Sequence, residues 1–228
     1  NGDHSGDITV RARGDVGFGA GNAVESFAQL GHGGRSSQGN TQGDITVSAG
    51  TSGTFDDIGD FDMDDTFDTI DFGGAASSGA ISFTGGNAND AYAQLGHGGR
   101  VARGDHGVDG NAIDVSAYGD ITFSGGLGDQ GADALRAYAQ LGHGGHDADN
   151  PNPGNYADNA TGTPGEPESA ERVGNTATID VVSSQGNIRF ASGGQEEAYG
   201  QLGHGGHSID GDHTGSITVT ADNGDVVF

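Results

Sequence analysis

Two residue types in this sequence stand at spacings that could do chemistry: histidine, for transition metals, and aspartate, for calcium. His32, His97, His143 and His204 each sit in the same local string, Gly-His-Gly-Gly. Brought into one column they would present a row of imidazoles, a donor that suits transition metals. Three residues further on come His146 and His207, but the other two copies carry Arg35 and Arg100 there. Arginine has no lone pair to give, so a column alternating His with Arg does not read as a metal site. The plainer reading is that each of the four histidines hydrogen-bonds its neighbour or a corner backbone group and so fixes a turn.

Asp60, Asp62, Asp64, Asp68 and Asp71 fall at positions 1, 3, 5, 9 and 12 of an EF-hand-like loop, where oxygen ligands for Ca2+ belong. The sixth position is Asp65 instead of the required Gly, and no helical periodicity flanks the segment, so the EF-hand itself is excluded. What remains is a possible calcium site or a solvated acidic flap over residues 55–72. Asp147 and Asp149, and Asp210 with Asp212, are weaker corner candidates. The Gly-Gly-x-Gly-x-Asp repeat of calcium β-rolls is absent. His-Gly-Gly also occurs in esterase oxyanion loops, but those need a Gly-x-Ser-x-Gly elbow. None is present, and an active site would not occur four times.

The elements that must position these groups are announced by repetition. Phe27-Ala28-Gln29-Leu30-Gly31-His32-Gly33-Gly34 returns from Tyr92, from Tyr138 and, with Gly200 for Ala, from Tyr199. Before each copy come two short alternating pieces, Ile8-Thr9-Val10 and Val16-Gly17-Phe18 in the first case. Alternation of apolar and polar residues is the signature of a half-buried strand, and recurrence at a fixed period is that of a stacked repeat architecture. The step from Ile8 to Ile45 is 37 residues. Longer steps contain inserted loops, at 50–78 and 146–175.

The pattern predicts an all-β chain: a right-handed parallel β-helix, or β-solenoid, of tandem repeats of about 37 residues with loops inserted at its corners. Right-handed winding follows from the strong bias of parallel crossovers. One coil per repeat and two coils of half the length both fit the spacing. Leu30, Leu95, Leu141 and Leu202 are expected to stack in the interior. Gln29, Gln94, Gln140 and Gln201, with the tyrosines on the same strand face, are expected to stack outside it as amide and aromatic ladders. An exposed row of Tyr92, Tyr138 and Tyr199 would suit stacking on sugar rings.

Composition agrees with turns at fixed places. The 228 residues include 47 glycines, only 32% is hydrophobic, and there is no cysteine, which excludes disulfides and thiolate chemistry. The net charge is −25 and every cation is an arginine. A field of that sign speaks against nucleic acid as a partner. No apolar run reaches the length of a membrane span. The chain opens and closes in mid-repeat, which predicts a single solenoid segment, residues 1–228, of a longer array.

Gly-Asp-Ile-Thr-Val and Ile-Thr-Phe strands with Gly/Asn corners resemble the β-helical shafts of filamentous-haemagglutinin-type adhesins and autotransporter passenger domains. The resemblance implies an extracellular, cell-surface protein with a structural or adhesive role and no catalytic residues. Its partners would be a host-cell, glycan or matrix surface, or further copies of itself in a fibre. Two alternatives stand beside it. One is a calcium-dependent repeat module. The other is a β-helical polysaccharide-binding or polysaccharide-degrading enzyme, against which stand the absence of lysine and an Asp pattern that follows the repeat instead of converging.

Overall fold

The computed structural model describes residues 3–50, 54–56, 69–71, 78–102, 105–107, 111–127, 136–146, 177–194, 196–207 and 213–228. Among these the chain is all-β, without a helix, and no helix is long and apolar enough to cross a membrane. The alternating pieces form strands that fall into three parallel sheets. The first holds Ile8–Ala12, Ile45–Ala49, Asn111–Ala117, Ala177–Ser183 and Ile217–Ala221, neighbours in the order of the chain. The second holds Val16–Gly19, Ile81–Thr84, Ile121–Ser124, Ile188–Ala191 and Val226–Val227. The third holds Ala28–Leu30, Ala93–Leu95, Ala139–Leu141 and Gly200–Leu202. The chain passes through the three sheets in turn before returning to the first, an arrangement compatible with a β-solenoid.

Register follows residue type. Ile8 pairs with Ile45, Ile45 with Ile113, Ile113 with Ile179 and Ile179 with Ile217. Every second side chain of the first two sheets points inward, so Ile45, Val47, Ile81, Phe83, Ile113, Ile121 and Phe123 are buried together with Leu95 and Leu141 of the third sheet, with Leu30 and Leu202 half-buried at its ends. Phe18, Phe83, Phe123, Phe190 and Phe228 stack with ring centroids 4.7, 4.9, 5.1 and 5.3 Å apart. That is the spacing between strands. Each fully buried aliphatic or aromatic side chain contributes about 1.5–3 kcal/mol through surface removed from water.

The third sheet corrects one expectation. Its tyrosines and glutamines do not lie outside: Tyr92, Tyr138, Gln94 and Gln140 are all fully buried. The Gly-His-Gly-Gly segment after each strand folds back over them, so this strand is covered on both faces. Phe27, Tyr92, Tyr138 and Tyr199 still stack, at 5.0, 4.9 and 5.0 Å, but the inner two present no ring face to solvent, and the row is no platform for sugars.

A short fourth pairing escaped the sequence reading. His4–Ser5 runs parallel to Thr41–Gln42, and Thr41 bridges onward to His106, where its hydroxyl meets His106 Nδ1 at 2.8 Å. Of the proposed calcium ligands, Asp60, Asp62, Asp64 and Asp68 lie outside the described residues. Asp71 ends the strand Thr69–Asp71, which pairs antiparallel with Thr54–Asp56. The 146–175 insertion lies outside them too, except for His146.

Candidate metal centre and the polar edge beside it

Each copy of the third strand ends in a glycine that turns the backbone by a conformation closed to other residues. Gly96 has φ 142° and Gly98 has φ 107°, and a Cβ on either would overlap the carbonyl of Gly142 or Gly144 in the next coil. The edge so formed continues the sheet: Gly98, Gly144 and Gly205 each donate a main-chain hydrogen bond of 2.9 Å to the histidine carbonyl one coil back.

On this edge the four histidines form a ladder, with ring centroids 5.1, 4.8 and 5.3 Å apart from His32 to His97, His143 and His204. The main-chain N–H of His32 donates to Nδ1 of His97 (2.8 Å), that of His97 to Nδ1 of His143 (2.9 Å), and that of His143 to Nδ1 of His204 (3.3 Å). A backbone N–H can only donate, so these Nδ1 atoms are unprotonated and the ring proton sits on Nε2. Nε2 of His32, His97 and His204 accordingly donates to the carbonyl of Gly6, Gly43 and Ala177, at 2.9, 2.9 and 3.0 Å.

Both nitrogens of His97 and His204 are therefore committed to the backbone. Burial pushes His97 down to about 4, only partly opposed by its bond to the Gly43 carbonyl. Burial likewise holds His143 well below the usual histidine range and lowers His204. The ladder is a neutral, structural device that fixes the turn, not a metal column.

The glutamine ladder supports the same edge from within. Gln29 Nε2 donates to the carbonyls of Gly96 (3.3 Å) and Gly98 (3.1 Å). Gln94 Nε2 reaches those of His97 (3.3 Å) and Gly144 (2.9 Å), and Gln140 Nε2 those of His143 (3.3 Å) and Gly205 (2.7 Å). Gln201 pairs in register with Gln140, and Leu30, Leu95, Leu141 and Leu202 line up beside them toward the core.

Outside the edge runs a charged column built from pairs ten residues apart: Glu25 with Arg35, Asp90 with Arg100, Arg136 with His146, and Glu197 with His207. Glu25, Asp90, Arg136 and Glu197 all occupy left-handed backbone, φ 65, 60, 66 and 58°, so they project from one equivalent corner. In the first two coils the acid takes an arginine. Arg35 Nη2 lies 2.7 Å from Glu25 Oε1, and Arg100 Nε lies 2.8 Å from Asp90 Oδ1.

In the third coil Arg136 stands where the acid would be, and it reaches back to the buried Asp90. His146 reaches forward instead, its Nε2 lying 3.0 Å from Glu197 Oε2. His207 Nε2 lies 3.8 Å from Glu197 Oε1, and the two imidazoles stack at 4.9 Å.

His146, Glu197 and His207 thus bring three ligating atoms within 4.8 Å of one another. Two imidazole nitrogens and one carboxylate are a zinc-type donor set. The sequence reading singled out His146 and His207 but set them aside because Arg35 and Arg100 share their column. The missed signal was the constant ten-residue offset to Glu25, Asp90, Arg136 and Glu197, with the acid displaced in one coil only.

No family model, curated protein or solved structure matches this chain, so the likeness to haemagglutinin-type shafts is one of strand pattern alone.

Proposed function

We propose that this chain is a structural protein, a segment of a stiff extracellular rod of the adhesin or fibre kind. In this reading it is a right-handed parallel β-solenoid with one coil per repeat of about 37 residues, widened by the insertions at 50–78 and 146–175, which carry any specific contact with a cell, glycan or matrix surface. The observation that carries the reading is the self-stacking of like residues. Isoleucine lies beside isoleucine, phenylalanine beside phenylalanine and buried histidine beside buried histidine from coil to coil. A repeat specified in this way extends along one axis, since each coil satisfies its neighbours. Ile8 beside Ile45, with three sheets visited between them, supports one coil per repeat.

Electron microscopy of the native protein on the cells that produce it tests both parts. Surface fibres that label without permeabilisation and diffract at the strand spacing of about 4.8 Å are the expected result. Labelling only inside permeabilised cells would remove the cell-surface assignment, and absence of the axial spacing would remove the rod.

A further inference from the structure

We propose that His146, Glu197 and His207 form a transition-metal site, of zinc type, that staples two successive coils together. The proposal stands on the geometry of the three donors and does not depend on where the protein resides. Nε2 of His146 and Nε2 of His207 both face one carboxylate, at 3.0 and 3.8 Å, and all three donors fall within 4.8 Å. A zinc ion with bonds of about 2.0–2.2 Å needs its tetrahedral donors roughly 3.4 Å apart. The His146–Glu197 separation is already shorter than that, while the widest of the three, up to 4.8 Å, must shorten, so closure takes a swing of one side chain.

His207 is 46% exposed and His146 only 5%, so the adjustment falls to His207. Imidazole selects zinc, nickel, cobalt or copper, whereas calcium and magnesium prefer all-oxygen shells. The same corner in earlier coils is closed to metal, because Arg35 and Arg100 hold Glu25 and Asp90 in ion pairs. Only where arginine gives way to histidine in two successive coils does a chelating set arise among the described residues.

The consequence is positional. His146 opens the 146–175 insertion, and Glu197 and His207 belong to the following coil. A metal there would clasp the coil that precedes the insertion to the one that follows it, and closing a long segment in this way favours the folded state.

The test uses the full chain, stripped with chelator and then freed of it, titrated with Zn2+ by calorimetry and by thermal melting, with Ca2+ and Mg2+ in parallel. Co2+ serves as a spectroscopic stand-in through its tetrahedral absorption bands. The expected result is one equivalent of zinc bound in the micromolar range or tighter, and a Tm rise of roughly 5–10 °C at a hundredfold excess over Kd. Glu197→Gln and His207→Arg are expected to lose the zinc-induced shift and the cobalt bands. His207→Arg restores the residue of the earlier copies and can pair with Glu197, so it keeps the Tm of the metal-free protein. Zinc bound equally by wild type and by His207→Arg would place the ion elsewhere and overturn the proposal. So would no binding by the wild type, or a calcium effect equal to that of zinc.

Discussion

His97 donates its main-chain N–H to Nδ1 of His143 over 2.9 Å, while its own Nε2 holds the carbonyl of Gly43. Its Nδ1 also accepts the main-chain N–H of His32, so this one residue links three successive coils, and its ring takes part only while neutral. Protonating Nδ1 of either ring would set an N–H against the N–H that now donates to it.

Stability should therefore fall with acid in a defined window. His97 titrates near 6.5 when unfolded and is pushed down to about 4 when folded, chiefly by burial. Above about pH 6.5 both states are neutral and stability is complete. Between 6.5 and 4 the unfolded chain takes up a proton that the folded chain refuses, which costs about 1.4 kcal/mol per pH unit, or about 3 kcal/mol in all. Below 4 this contribution levels off. His143 acts in the same direction. Denaturant midpoints measured from pH 8 to pH 4 check this, and a midpoint that stays level through the window would contradict it.

Gly98→Ala should destabilise strongly. The residue holds φ 107°, and a Cβ would overlap the Gly144 carbonyl. Left-handed backbone and the forced shift together cost about 2–4 kcal/mol. Gly14, which has open space around its Cα, is the control: Gly14→Ala should leave stability unchanged or raise it by a few tenths of a kcal/mol. Thermal melts of the two variants decide it.

Gln94→Ala should cost about 1–3 kcal/mol, because it removes the amide's hydrogen bonds to the buried carbonyls of His97 and Gly144, each of which keeps one main-chain donor, and leaves a buried void. The half-buried Gln201 at the end of the ladder should cost less when changed in the same way. Chemical denaturation of both variants measures the difference, and equal losses would count against the amide ladder.

Asp114→Thr should stabilise. Asp114 pairs in register with Asp180 on one side and with Thr46 on the other. Its carboxyl is raised above the usual range by partial burial and then by Asp180 and Asp44. Removing one of two like charges on adjacent strands is worth about 0.2–1 kcal/mol. The gain should shrink in high salt, which screens that repulsion, and melts at two ionic strengths check both statements.

Much of this was legible before folding. Alternation marked Ile8-Thr9-Val10 and Val16-Gly17-Phe18 as strands, and the recurrence of these strings put like residues beside like even where an insertion lengthens the step, as Ile45 beside Ile113 shows. The histidines were readable as turn-fixing groups because their surrounding glycines recur with them. The tyrosines and glutamines were not readable as buried. A period of two says which side chains share a face, but not whether another segment covers that face. The calcium expectation on Asp60, Asp62, Asp64 and Asp68 falls outside the described residues.

By itself, then, the sequence determined the strands of the three main sheets and which residue stacks on which, because these follow from short-range alternation and from strings that recur with insertions between them. Only the tertiary structure decided that Gly-His-Gly-Gly folds back over Gln94 and Tyr92, and that His146 leaves its own coil for Glu197. Both depend on backbone turns and side-chain reach between coils. Such contacts join residues far apart in the chain, and no local pattern encodes them.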